Sequence, residues 1–365
     1  MRIAIVVPGG VDRSGEYRVI PVLLALIKRL SLRNNVDVIA LAQEAHAGTW
    51  VLAGAHIHNI GLPHAGLRAV HAICRMHRAL PFDVVHAIWS GTCGLVAAMA
   101  GWVLGIPSLV HVAGGELIAM PDIGYGGSQS WRGRIREAMV LRGVSAVTAA
   151  SSPVIHALSQ LGITAQRVPL GVDLTSWPPR DPVHRDHNRP GKLLHIASLN
   201  RVKDQSTLLH ALNSLMKSGV QFDMDIVGED TLHGEIQAIA KHFELSERVT
   251  FHGFLPQRQL RPLVEAADLL VVSSRHETGP VAMLEAAVAG VPTVGTVVGH
   301  IAEWAPHAAL SVQIGDWVGL TAAIRQLLDD EDLRMSIARE ALKRATRDDA
   351  DYTAECFFAL YARLV

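Results

Sequence analysis

The sequence predicts an α/β protein made of two doubly wound parallel sheets, each covered by helices on both faces. Three observations predict it. Short, continuous apolar runs alternate with segments of helical periodicity through both halves of the chain, as strands buried on both faces require. A stretch with four prolines and almost no apolar periodicity, Leu174–Gly191, interrupts the alternation, which then restarts. The 365 residues suit two domains at roughly 100–200 residues each. With 49% hydrophobic and 18% charged residues, a disordered or charge-driven chain is excluded.

Arg2–Val7 reads as the first strand. A single Arg precedes its short apolar run and a Gly-Gly turn follows, which is not the pattern of a signal peptide. Ile20–Leu32 has helical spacing. Strands are predicted at Val36–Leu41, Asp83–Ala87, Ser108–Val112 and Ala146–Ala149. Val84–Gly115 has no Asp, Glu, Lys or Arg and competes for a membrane-spanning assignment. Gly101 and Gly105-Ile-Pro107 interrupt it, so it reads as a buried helix followed by a buried strand, with Met99 and Trp102 in the core. After the proline-rich stretch come strands at Leu193–Ala197, Phe222–Val227, Val249–Phe251, Leu269–Ser273 and Thr293–Gly295. Helices are predicted between them at Thr207–Lys217, Leu232–Phe243, Leu260–Ala266 and Pro280–Ala289, and helices dominate after Trp317. The domains expected are 1–173 and 192–345, with a linker at 174–191 and a final segment, 346–365, whose helix spans Thr353–Leu364.

Charge is unevenly placed. Residues 1–172 carry 14 Lys and Arg against 8 Asp and Glu, a net of +6, which leaves −7 for the remainder of a chain at −1. Arg68, Arg75, Arg78, Arg132, Arg134, Arg136 and Arg142 fall on helix-like segments. Ordinary solvated helix faces explain them, and so does a surface attracted to anionic lipid or a phosphorylated acceptor. No aromatic interleaving accompanies the charge, so nucleic acid is not expected as a partner. The three cysteines are far apart, which excludes a disulfide framework or structural zinc and favours a reducing, cytoplasmic setting, in solution or at the cytoplasmic membrane face. Most of the 19 histidines are scattered and lack a metal-ligand spacing.

The most informative segment is Ser273–Pro292. A strand ends near Ser274, a polar loop holds Glu277, and Gly279-Pro280 opens a helix that stops at Gly290. Glu277 therefore stands before a helix N-terminus and Glu285 more than a turn inside it. Free N–H groups and the helix dipole make such an N-terminus suited to a diphosphate, beside which carboxylates can accept from sugar hydroxyls.

These residues resemble the E-x7-E segment of the retaining GT-B glycosyltransferases of the family 4 type. The resemblance runs in order along essentially the whole chain. Leu194–Leu209 resembles the strand–loop–helix that grips the donor diphosphate, and Val227-Gly228-Glu229 the V-G-x-G strand end. Val249–Pro256 resembles the loop whose backbone reads the base, and Val168–Asp173 is similar to the P-N-G-V-D at the domain junction. The resemblance implies GT-B architecture, two Rossmann-like domains facing across a cleft, with the last helix crossing back to the first domain. It implies that the second domain binds a UDP- or GDP-linked sugar and the first an acceptor, either a sugar or a lipid-linked or cell-envelope intermediate. By position, Glu285 would bind the ribose, Glu277 the transferred sugar, and Lys203 the leaving diphosphate. Backbone at Thr278, Gly279, Pro280 and Val281, and at Gly253-Phe254, would hold phosphate and base. His111 would stand near the reacting face, with His86, Gly10 and Gly15 on the acceptor side.

Departures are visible. Ser198 stands where the family usually has Arg, with Arg201 nearby but out of register. Pro280 stands where Gly is common and cannot donate an N–H, and Asp230 replaces a second Gly. A cationic grip on phosphate makes a metal unnecessary, so metal independence and no cofactor beyond the donor are expected. Two other readings stay open: an epimerase or phosphorylase on the same architecture, and a sugar-nucleotide-binding protein without catalysis.

Overall fold

The first apolar run forms β1 (Arg2–Val7), and the chain alternates onward through α1 (Pro21–Ser31), β2 (Asn35–Ala40), β3 (Gly48–Leu52), β4 (Ala55–Asn59), α2 (Ala65–Ala79), β5 (Val84–Ile88) and α3 (Gly91–Leu104). It continues with β6 (Ser108–Val112), α4 (Trp131–Gly143), β7 (Ala146–Ala149), α5 (Ser152–Gln160) and β8 (Gln166–Arg167). The computed structural model describes residues 1–365 and divides them into two units, Met1–Asp173 with Asp348–Val365, and Leu174–Arg347.

The sheet of the first unit has the order β3-β4-β2-β1-β5-β6-β7-β8 and is parallel except for the β3–β4 hairpin. That hairpin has no sequence signal of its own. Its turn, Ala53-Gly54, has positive φ at both residues, and an alanine there hides the turn that Asn-Gly would announce. One face of the sheet packs against α2, α3, α4 and α5 through Ala69, Ile73, Val96, Ala97, Val140 and Leu158. Because α3 meets the sheet along Cys93, Val96, Ala97 and Ala100, Met99 and Trp102 fall on the opposite side. Both are exposed, which corrects their reading as core. An apolar helix is buried only where its inner stripe reaches the sheet.

The second unit restarts with β9 (Gly191–Ile196), α6 (Gln205–Lys217), β10 (Phe222–Val227), α7 (Glu235–His242), β11 (Val249–Gly253), α8 (Gln257–Ala266), β12 (Leu269–Val272) and α9 (Val281–Val288). It ends with β13 (Thr293–Thr296), α10 (Gly299–Trp304), β14 (Leu310–Val312), α11 (Trp317–Asp329) and α12 (Glu331–Arg347). Its six strands are parallel, in the order β11-β10-β9-β12-β13-β14. The short β14 carries too little periodicity to be read in advance. At Gly228, just past β10, a Cβ would lie 2.0 Å from the Ala197 carbonyl oxygen, so only glycine lets the two strand ends approach.

Residues 174–190 have no regular structure, yet they are not a free tether. Trp177 is buried and donates from Nε1 to Gln257 (2.7 Å), and the Arg180 N–H donates to Val288 O (2.9 Å). Arg189 grips Asp268 with two 2.8 Å hydrogen bonds. The Arg185 N–H donates to Glu331 (2.9 Å), whose carboxyl is held at about 2 by Arg334 and this backbone contact against the opposing effect of burial. The proline-rich stretch is thus a strap on the second unit.

The last helix, α13 (Ala350–Leu364), belongs to the first unit and packs with α1 on the second face of its sheet. Phe357 and Tyr361 are fully buried there against His86 and His111. The Tyr361 hydroxyl meets His86 Nδ1 at 2.6 Å. Tyr361→Phe is expected to lower stability by ~1–3 kcal/mol, the loss that follows when a buried ring nitrogen is left unpaired. A urea titration measures it; an unchanged midpoint would show that the hydroxyl contributes nothing. No helix is long and apolar enough to cross a membrane.

Candidate functional site

In the second unit the strand order reverses between β9 and β12, and ligands of open α/β sheets lie beyond the carboxyl ends at such a point. The two strands pair only at Leu193–Leu269 and Leu194–Leu270. Beyond that pairing the ladder is carried by a side chain: His195 Nδ1 meets Val271 O at 2.9 Å. Because the carbonyl can only accept, Nδ1 bears the proton and Nε2 accepts from Gln205 Nε2 at 3.2 Å. Burial holds His195 at about 4, so the ring stays neutral.

Two loops leave this point, 197–204 toward α6 and 273–280 toward α9. They are tied together by Ser273 Oγ donating to Lys203 O (2.8 Å) and the Arg275 N–H donating to Val202 O (2.7 Å). This tying brings Lys203 to Glu277. Its Nζ lies 2.5 Å from Glu277 Oε1, which also accepts from Ser274 Oγ at 2.7 Å. Both side chains are mostly shielded from solvent. An ammonium has three N–H donors and a carboxylate about four acceptor positions, more than the bonds seen at Lys203 Nζ and Glu277 Oε1 use, so the pair can take one anionic and one hydroxyl ligand at once.

Behind Glu277, α9 begins at Val281 with Pro280 as its N-cap and no side-chain cap, leaving its opening amides for a ligand. Pro280 therefore sits one position before the first helical residue where the sequence suggested it. Gly299, at φ 47°, packs so closely on the loop that a Cβ would stand 3.0 Å from Thr278 O. Thr278 is itself buried.

Glu285 is 3% exposed and points to Gln257 Nε2 at 2.8 Å. Burial pushes its carboxyl up to about 7, with the Gln257 hydrogen bond opposing the shift. Gly253 ends β11 at φ 68°, with its carbonyl accepting from the Gly228 N–H at 2.9 Å, and the neighbouring Phe254 ring is half exposed.

Other expected residues are placed differently. Ser198 uses its carbonyl to accept from Gln205 at 3.1 Å, while Arg201 is exposed and pairs with Glu235 of α7 at 3.0 Å. His111 was expected at a strand end near the reacting face. It lies within β6, fully buried, with Nδ1 2.9 Å from Thr148 Oγ1, and burial holds it at about 3. His86 is likewise inside β5, kept well below the ordinary imidazole value by burial and then by His111. Both are neutral core residues facing α13, because each side chain points through the sheet face instead of off its edge. Gly10 and Gly15 both lie in the loop after β1 with positive φ. Gly10 is the more constrained: its N–H donates to Gln43 Oε1 at 2.7 Å, and a Cβ would meet Ile20 at 2.6 Å.

Ser273, Ser274, His195, Gln205 and Gln257 were not foreseen. Ser274 had a signal, standing three residues before Glu277. Gln257 had none, since its partner is 28 residues away. An Asp-x-Asp sequence, Asp223-Met-Asp225, lies within β10, and Asp225 pairs with His252 at 2.6 Å.

Comparison with known proteins matches the family model described as glycosyl transferases group 1 to residues 180–344 and the glycosyl transferase 4-like domain to residues 19–172. Glycogen synthase of Mycobacterium tuberculosis is 30% identical over 180 residues, 49% of this chain and 43% of that protein. The chain thus matches less than half the length of such curated relatives. Sucrose-phosphate synthase from Thermosynechococcus elongatus superposes with a TM-score of 0.81 at 17% identity, covering 100% of this chain and 99% of that one. Anabaena HepE in complex with UDP-glucose superposes with a TM-score of 0.76 at 20% identity, covering 100% of both chains.

Proposed function

Because the chain belongs to the GT-B glycosyltransferases of the family 4 type, we propose that it moves a sugar from a nucleoside-diphosphate donor to an acceptor hydroxyl, with retention at the anomeric carbon. The observation that carries this reading is the Lys203–Glu277 pair in front of the α9 N-terminus, at the switch point of the second sheet. In transfer the bond from the anomeric carbon to the β-phosphate oxygen breaks and the acceptor hydroxyl oxygen bonds that carbon on the same face; negative charge grows on the departing diphosphate, which takes up the hydroxyl proton. Lys203 and the helix amides are fixed in advance to receive that charge, so they favour the transition state over the ground state. Glu277, anchored by Ser274 and Lys203, accepts from the sugar hydroxyls and sets the ring in place. Glu285 accepts from the ribose.

A uridine diphosphate sugar is the first donor to test, since HepE, a chain of the same fold, binds UDP-glucose. Lys203 supplies the positive charge at the phosphates, so the reaction proceeds without a metal. The first unit takes the acceptor, and the arginines on its α2 and α4 favour one bearing a phosphate, including a lipid-linked one.

A thermal-shift panel of UDP-, GDP- and ADP-sugars, with and without a chelator, tests the donor reading. The correct donor at about 100 times its Kd should add ~2.7 kcal/mol of stability, undiminished by the chelator. Glu277→Ala should abolish acceptor-dependent release of nucleoside diphosphate. Release without any acceptor would favour the epimerase reading, and a variant that transfers at the normal rate would end the proposal.

A further inference from the structure

We infer that the α2–α4 face of the first unit docks on a bilayer carrying anionic lipids. The three helices pack side by side on one face of the sheet, with their inner stripes in a single core cluster. Their outer stripes therefore share one side of the unit. On it, α3 presents Met99, Trp102 and Val103, and α4 presents Trp131, Ile135 and Met139 at helical spacing, all exposed. Trp102 is 86% exposed and Trp131 61%, unusual positions for the largest apolar side chain.

Charge identifies the occupant. The sequences of α2 and α3 contain no Asp or Glu, and the one acid of α4, Glu137, is buried. Arg68, Arg75 and Arg78 of α2 and Arg132, Arg134 and Arg142 of α4 are exposed. Arg132 lies over the Trp131 ring at 5.4 Å, joining the cationic and apolar surfaces. Between α2 and the β3–β4 hairpin, a groove of about 600 Å³ is lined by Arg68, His71 and Arg75 above Ile60 and Met76. A partner with an apolar interior and negative headgroups satisfies all of these features. A second copy meeting this face with its own would bring arginines onto arginines. Nucleic acid would leave the tryptophans unused.

The inference is independent of the donor chemistry. The test is flotation of the full chain with phosphatidylcholine vesicles, with and without phosphatidylglycerol. Binding is expected only with phosphatidylglycerol, weakened by high salt. Trp102→Ser and the double variant Arg132→Glu/Arg142→Glu should each reduce it, the latter by at least ~10-fold. The thermal shift with the nucleotide donor should stay unchanged in both variants, which separates a lost docking face from a misfolded chain. Absence of flotation by the parent chain overturns the proposal, as does equal binding by Trp102→Ser. A dimer in light scattering that Trp102→Ser dissociates would likewise overturn it and assign the face to self-association.

Discussion

Lys203→Ala is expected to lower the transfer rate by roughly 100- to 1000-fold, the loss seen when one preorganised partner of a developing oxyanion is removed. The lysine is well placed for such an effect. Its loop is fixed by Ser273 Oγ on its carbonyl and by Asn200, whose carbonyl and side chain both accept from the Lys203 N–H at 3.1 Å. The ammonium therefore needs little reorganisation when charge arrives. The loss should appear in kcat more than in KM, because the diphosphate bears its full leaving charge only as the bond breaks. Glu277 remains tied to Ser274 in the variant, so the sugar contact survives. A Lys203/Glu277 double-mutant cycle should show a coupling energy, since the two side chains are in direct contact, while the Ser274 anchor keeps part of the Glu277 effect independent. Steady-state rates of nucleoside diphosphate release measure both effects. A Lys203→Ala enzyme within about twofold of normal would assign leaving-group stabilisation elsewhere, with the α9 amides next in line.

How far the sequence leads toward this site depends on how local each signal is. The parallel strands were legible because four to six apolar residues between amphipathic helices have few other uses in a chain of this composition. The Glu277 loop was legible because strand end, acid, Gly-Pro and helix follow one another within a dozen residues or so. What stayed hidden was long-range. Nothing near Glu285 announces that Gln257 will fill its carboxyl, and nothing near Lys203 announces the carbonyl contact from Ser273. Nor does a strand sequence alone say whether a histidine ends on an edge or passes through the sheet. His86 and His111 pass through because α13, far along the chain, brings Phe357 and Tyr361 to cover them. Trp102 failed in the opposite sense: the helix is apolar all round, and only its contact with the sheet decides which side is inner.

Glu285 ties the fold to the donor through a single proton. Its carboxyl is raised from 4.5 to about 7 by burial. The folded chain therefore holds this proton more tightly than the unfolded chain, and the stability it contributes is fully present below about 4.5 and lost as pH rises toward about 7. The loss is on the order of 3 kcal/mol for a shift of this size. Glu285→Gln cannot ionise, and its amide oxygen still accepts from Gln257. It should match the parent chain in urea midpoint near about pH 5 and exceed it near about pH 8. Nucleotide binding should move the other way. An ionised carboxylate accepts more strongly from two ribose hydroxyls than an amide does, so donor affinity of the parent should rise through the same interval, whereas that of the variant stays low and flat. Calorimetry at the two pH values measures it. If Glu285→Gln destabilises the fold equally at both, the carboxylate is ionised and structurally paired, and its assignment to the ribose loses its physical basis.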